Sequence, residues 1–473
     1  RFYSRKDSRS NHEYAGNSST RQHVNHVNTL IMTSQYPDIT ISNSLYERAK
    51  QVMFPVTQTM AKGPSQYVNG VAPKYLAKGK DAHVWDVDGN EYIDYNMAIG
   101  PVSLGYGYDR VDHAILKQLK DGITFSLMHP LEVELSELIQ KIIPNAEGVR
   151  IAKTGAEVCS AAVRISRAFT GRKKVLCCGY HGWHDWYIGT TSRAEGIPQE
   201  IKELTATFDY NNIESLKAKL DEDVACVILE PFIFEAPAND FLQQVQELCR
   251  ANGSLLIFDE MWTGFRVAVG GAQEYFNITP DLAVYSKAFA NGMPIALLTG
   301  RKDVMQLFEK DVFFYSTFGG EALSMAAAMA TIHEMIDKNV PKALAEKGKR
   351  LKEGYNELAA KYQLTAVTTC QGFDCRTIIT FNASAGDPLI LKSFVQQEMI
   401  KRGVLWGGFH NVCFTHTDED INYTLKVYDI VLSLLAEALR GNDITSLLRG
   451  KPVEAVFRKV GDVQKTFKEK ALN

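Results

Sequence analysis

From Gly100 onward the chain alternates short apolar runs with helical stretches of ten or more residues, and this alternation leaves few folds open. The runs are Val149–Lys153, Lys174–Cys178, Val224–Leu229, Ser254–Phe258, Leu282–Ser286 and Ile295–Thr299. Each has the length and the β-branched, apolar content of a buried strand. Strands separated by helices are joined by crossovers, which predicts an α/β fold: a mainly parallel sheet with helices on both faces. Ahead of this region, Ser42-Asn-Ser44 precedes the expected capped helix Leu45–Val52, and His83 to Asp94 alternates across Asp88-Gly-Asn90 as a hairpin. A long helix is expected from Ser324 through Asn339, followed by a smaller α+β region to about Arg440.

In an open α/β sheet ligands gather outside the carboxyl ends of the strands, so the residues just after each run matter most. Asp259 follows one run and Lys287 another. An acid and a lysine delivered by neighbouring strands suit pyridoxal 5'-phosphate: the lysine forms a Schiff base with the cofactor aldehyde, and the acid faces the protonated pyridine nitrogen. Thr154-Gly-Ala-Glu157 opens a helix and has the form of a capping box. That box is common helix punctuation, but Gly155 lets backbone approach a ligand, and free amides at a helix start take a phosphate. Tyr180 and His181 lie in Gly179-Tyr-His-Gly182, where an aromatic ring can stack on the pyridine. Glu230-Pro231 brings a second carboxylate to the same edge. A lone lysine after a strand is ordinarily a solvated surface residue; five suited groups on one edge point to a site.

The rest of the composition excludes other classes. Among 473 residues the net charge is -3 and charged residues make up 23%, so neither nucleic acid nor an anionic membrane is expected as a partner. The eight cysteines form no metal-binding spacing, and most sit in apolar runs, as reduced core thiols do. No metal is expected, and a cytoplasmic location is. No apolar run approaches the ~20 residues of a membrane span. Gly105-Tyr-Gly107 lacks the third glycine of a dinucleotide fingerprint. Residues 1–35, rich in Asn, Ser, Arg and His, read as a flexible extension, and 441–473 as a tail of mixed character.

From about Ser42 to Tyr423 the chain resembles the class III, fold type I pyridoxal-phosphate enzymes, particularly the glutamate-1-semialdehyde 2,1-aminomutase-like branch and surface-sugar aminotransferases. The carrying motifs are Trp85 to Tyr95, Thr154-Gly-Ala-Glu157, Gly179-Tyr-His-Gly182, Asp259-Glu-Met-Trp-Thr-Gly-Phe-Arg266, Tyr285-Ser-Lys287 and Ser316-Thr-Phe-Gly-Gly320. The resemblance implies a large cofactor-binding domain over 100–323, and a small domain built from 36–99 and 324–440. It gives Lys287 the Schiff base and proton transfer, Asp259 the pyridine nitrogen, and Tyr180 the ring face with His181 beside it. Thr154, Gly155 and Ala156 are assigned to the phosphate, and Glu230 to the cofactor's surroundings. A homodimer with active sites at the subunit interface is implied, with Thr317 reaching the phosphate in the neighbouring subunit.

Three departures bear on the substrate. The aminomutase's carboxylate-binding arginine has no counterpart in Lys62–Asn69, its functional glutamate is missing from Gly408–Asn411, and Ala156 replaces a hydroxyl residue in the phosphate segment. The expectation is therefore an aminotransferase working by double displacement: an amino acid donor leaves its amino group on the cofactor, and a carbonyl acceptor then collects it. The resemblance and the missing arginine suggest a sugar or surface-polysaccharide precursor as acceptor, with Arg266 or Arg301 as substitute cations for the donor carboxylate. The alternatives are an intramolecular 2,1-aminomutase and a catalytically silent binding protein of the same fold.

Overall fold

The computed structural model describes residues 35–441 and 443–455, so the N-terminal extension and much of the C-terminal tail lie outside the described residues. Seven strands form the largest sheet: β1 (Gly148–Ala152), β2 (Lys174–Cys178), β3 (Thr205–Thr207), β4 (Val224–Leu229), β5 (Leu255–Asp259), β6 (Leu282–Tyr285) and β7 (Ala296–Gly300). Their spatial order is β1-β7-β6-β5-β4-β2-β3. β7 runs antiparallel to both of its neighbours, whereas the other adjacent pairs are parallel. The carboxyl ends of β1, β2, β4, β5 and β6 therefore share one edge.

Burial explains why these runs are apolar throughout. Along β4 and β5, Val227, Leu229, Leu256 and Phe258 face one core, while Cys226, Ile228, Leu255 and Ile257 face a second core on the other side. The period-two alternation that usually marks a strand here selects between two apolar layers instead of between core and solvent. Helix Gly155–Thr170 packs on the second face, and helices Phe241–Asn252 and Ala322–Asp337 contribute to the first.

Two smaller sheets combine distant parts of the chain. Strands Leu76–Lys80, His83–Asp86 and Glu91–Asp94 form an antiparallel meander, and Val404–Leu405 joins it in parallel with Ile93 opposite Val404. Thr368–Phe373, Arg376–Phe381 and Phe409–Asn411 form the third sheet.

The structure corrects several expectations. The first helix runs over Thr40–Val52, so Ser42 to Ser44 lie inside it and do not cap it. The Asp88 carboxylate accepts from the first-turn N–H groups of Ile41 and Ser42 at 2.6 and 2.9 Å, doing from a distant hairpin turn what a local cap would do. Strand β3 has only three residues, too few for a periodic signal. The long helix ends at Asp337, two residues before Asn339, which adopts a left-handed conformation (φ 47°) ahead of the helix Val340–Lys361. All eight cysteines are buried and none forms a disulfide, as core thiols.

Candidate active site

The segment after β6 is held in an unusual backbone shape. Ser286 is extended, Lys287 takes a left-handed φ of 52°, and a single 3-10 turn follows to Ala290. A non-glycine residue in that region is strained by about 1 kcal/mol and persists only where its surroundings hold it. Here Ser103 Oγ donates to Ala288 O at 2.9 Å, and the Asn291 side chain bridges Leu104 N and Gly105 O at 2.9 Å each. The lysine is thereby fixed at the strand end with its side chain turned into the molecule.

Around it the sheet edge collects the residues singled out in the sequence. Asp259, the last residue of β5, is 1% exposed. Its Oδ2 lies 2.7 Å from Nδ1 of the buried His181, and Oδ1 accepts from Met261 N at 3.1 Å. Since a carboxylate only accepts, His181 Nδ1 carries the proton; His181 Nε2 is buried with no hydrogen-bond partner among the described residues. Glu230 follows β4 and accepts from Tyr180 N at 2.8 Å. Burial, reinforced by the charge of Asp259, raises its carboxyl above the usual range. Tyr180 presents a half-exposed ring packed edge-on against Tyr187 at 5.5 Å. Burial also pushes the Lys287 ammonium down to about 8; Glu230 and Asp259 pull the other way, while Arg376 and Arg266 push it further down.

At the end of β1, Thr154 caps helix Gly155–Thr170 by accepting from Glu157 N, and Glu157 returns the bond to Thr154 N at 2.7 Å. The capping box leaves the N–H groups of Gly155 and Ala156 without partners inside the helix. Gly182 has φ +102°, and a Cβ there would meet Ala156 Cβ at 2.7 Å, so the glycine seats the loop 179–182 directly on this helix start.

Thr317 sits apart, on an exposed turn before helix Ala322–Asp337. That turn is tied to the sheet edge by the Lys153–Glu321 ion pair at 2.8 Å. Neither substitute cation is available. Arg266 is 2% exposed and donates to Gly100 O at 2.5 Å and Val412 O at 3.5 Å, which makes it a strut between segments. Arg301 follows the antiparallel β7, so it emerges at the opposite sheet edge, where it pairs with Asp281 and Asp303 at 2.7 and 2.5 Å.

Two residues with no role assigned from the sequence also belong here. The Trp262 ring centroid lies 4.2 Å from Lys287 Nζ and 3.4 Å from Arg376 Cζ, so one indole carries both cations. Gly100 (φ +100°) backs that ring: a Cβ at this position would lie 2.3 Å from Trp262 Cζ3. Trp262 was visible within the Asp259–Arg266 motif. Arg376 opens a strand of the third sheet, far along the chain, and no local pattern marks it.

The residue set fits pyridoxal phosphate. A buried carboxylate suits a ring cation, a helix start with open N–H groups suits a phosphate, and a lysine of lowered basicity suits an aldehyde. Comparison with known proteins agrees. The family model Aminotransferase class-III matches residues 67–417. The 3-aminobutyryl-CoA aminotransferase of Cloacimonas acidaminovorans is 35% identical over 398 residues, covering 81% of this chain and 95% of that protein. The glutamate-1-semialdehyde 2,1-aminomutase of Persephonella marina is 33% identical over 399 residues, covering 77% and 93%. Among solved structures, the pyridoxal-phosphate form of the FumI protein of Sphingopyxis sp. MTA144 superposes with a TM-score of 0.79 at 27% identity, covering 86% of this chain and 99% of that one. The chain belongs to the class III aminotransferases, fold type I enzymes whose cofactor is pyridoxal 5'-phosphate.

Proposed function

We propose that this enzyme moves an amino group from an amino acid donor to a separate carbonyl acceptor in two half-reactions at one site, with Lys287 as the residue that bonds the cofactor. The observation that carries the reading is the side chain itself: a lysine held in a left-handed backbone, brought down to about 8, beside the buried carboxylates of Glu230 and Asp259. A lysine of that basicity is partly neutral near physiological pH and is both a nucleophile and a proton carrier. Bound pyridoxal phosphate supplies an electron sink for negative charge at the substrate carbon. Asp259 holds the ring nitrogen's charge and is itself oriented by His181 and the Met261 N–H. Gly155 and Ala156 offer N–H groups to the phosphate, with Thr154 fixing the turn. Tyr180 covers one ring face, Glu230 keeps the 179–182 loop in place through Tyr180 N, and Lys287 Nζ moves the proton between substrate and cofactor carbons.

A homodimer completes the proposal. Ile123, Phe125, Leu127, Met128 and Val133 are exposed, as are Phe313, Tyr315 and Phe318, and the two stretches adjoin where Ala322 N donates to Ile123 O at 2.9 Å. Exposed apolar side chains on two adjoining stretches support burial against a second copy. Thr317 lies between Tyr315 and Phe318, and in this reading it reaches the partner's cofactor phosphate.

The sugar acceptor expected from the sequence rested partly on the missing arginine near Lys62. A guanidinium from elsewhere, Arg376, now stands beside Lys287 and removes that ground. The likeness to an aminomutase favours a second reading, amine transfer within one molecule. The deciding experiment loads the protein with pyridoxamine phosphate and screens oxo acids, aldehydes and sugar ketones for return of the pyridoxal absorbance. Return with an oxo acid supports the transaminase; turnover of glutamate semialdehyde alone supports the mutase.

A further inference from the structure

Arg376 is an arginine without a counter-ion. It is 5% exposed, and both Nε and Nη1 are buried without a hydrogen-bond partner. Among the described residues no carboxylate lies within ion-pair distance of it. The other two buried arginines each leave only Nε without a partner. Arg402 pairs with Glu398 at 2.6 Å, and Arg266 donates to two backbone carbonyls. A guanidinium withdrawn from water with two of its three nitrogens unpartnered is costly, and native proteins keep such a group where an anion comes to meet it.

The surroundings fix where that anion must sit. Arg376 Cζ lies 3.4 Å from the Trp262 ring centroid and 4.3 Å from that of Phe234. Trp262 follows the β5 carboxyl end that carries Asp259, and Phe234 follows the β4 end that carries Glu230. Both rings therefore belong to the sheet edge of the site, and they hold the guanidinium plane in one orientation. Since Lys287 Nζ lies against the same indole, the two cationic groups are no further apart than their two ring distances laid end to end. Burial lowers the Arg376 guanidinium, and Glu230 opposes this without pairing with it.

We propose that Arg376 is the specificity-determining residue that receives the free carboxylate of a small amino or oxo acid, placing its amine- or carbonyl-bearing carbon against Lys287. The inference rests on the aminotransferase reading and narrows it. A substrate of this class carries a free acid; a thioester or a neutral sugar has no anion to offer this guanidinium. The carboxylate would replace the missing counter-ion, so binding of an acid and neutralisation of the buried cation are one event.

The test uses the holoenzyme and two unreactive probes of equal size, butyrate and butyramide, with binding followed by calorimetry. Wild type is expected to bind butyrate in preference to butyramide. Arg376→Gln should lose butyrate affinity by about 10–150-fold, the loss expected when one partner of a charged hydrogen bond is removed. Arg376→Lys, which keeps the charge on the rings, should recover part of it. In the donor half-reaction, Arg376→Gln should raise KM for β-alanine or glutamate by the same factor, and change KM for 1-phenylethylamine, which has no carboxylate, far less. Unchanged butyrate affinity in Arg376→Gln overturns the proposal, and so does an equal loss for donors with and without a carboxylate in both variants. If wild type binds butyrate through Arg376 yet transfers no amine from any donor, the carboxylate site stands and the aminotransferase reading falls.

Discussion

Replacing Asp259 by asparagine changes one atom, and the structure gives the consequences in some detail. Two strong donors and one weak one converge on the carboxylate: His181 Nδ1 at 2.7 Å and Cys159 Sγ at 3.7 Å on Oδ2, and Met261 N at 3.1 Å on Oδ1. An amide in either orientation aims its NH2 at one of them. One donor is left facing another donor at a position only 1% exposed, which costs the apo protein about 1–3 kcal/mol. The loss at the cofactor is larger, because the anion for the ring nitrogen is gone. Breaking half of a buried pair costs about 3–5 kcal/mol. If that cost falls on the transition state, the half-reaction slows by about 10²–10⁴-fold. The assay is single-turnover absorbance with excess amino donor, beside cofactor titration and chemical denaturation of the apo form. A pyridoxal phosphate methylated on its ring nitrogen needs no carboxylate to stay cationic and should restore much of the rate. Wild-type turnover and cofactor affinity in Asp259→Asn would refute the assignment.

Other outcomes follow from the same geometry. Borohydride treatment of the holoenzyme should fix the cofactor on Lys287, as read by peptide mass mapping, and Lys287→Ala should bind the cofactor weakly and transfer no amine. Cofactor uptake by the apo enzyme should speed up as pH rises through about 8, where the Lys287 ammonium loses its proton; Glu230→Gln removes a charge that raises this value, so the stopped-flow midpoint should move to lower pH. Initial-rate plots with a donor and an acceptor should give parallel lines, and glutamate semialdehyde alone should not turn over at an ordinary rate of roughly 1–10³ per second. Burial holds His410 at about 3 and His416 at about 4, both below the usual 6.5. The folded state thus takes up fewer protons than the unfolded one below pH 6.5, and stability should fall by about 2 kcal/mol for each histidine by pH 5, as measured by denaturant titration.

Much of the large sheet could be read from the chain, because its central strands are apolar on both faces and stand out as short runs between helices. β2 and β4 match their expected limits, and β1, β5, β6 and β7 shift by a residue, where a polar end residue such as Ser254 or Lys153 gives no signal either way; β3 is not among the expected strands. Which strand runs backwards is a matter of crossover and not of composition, so Arg301 was placed on the wrong edge. Lys287, Asp259, Glu230, Tyr180 and Thr154 could be gathered from sequence because each directly follows or ends a strand of one sheet. Arg376 could not. It reaches the site from a separate hairpin, and only tertiary packing against Trp262 and Phe234 brings it there. The Asp88 cap was hidden for the same reason, since its partners Ile41 and Ser42 lie in another element.

Gly100 gives the site a hidden genetic weakness. It contributes no functional group, yet the Trp262 ring fills the space any side chain there would need, and Arg266 grips its carbonyl from the other direction. A methyl group at this position would displace the indole that both Lys287 and Arg376 lean on. In a collection of loss-of-function alleles, Gly100→Ala should therefore group with lesions of the lysine and the arginine. Double alleles should show little further loss, while the crippled protein still accumulates as a folded chain.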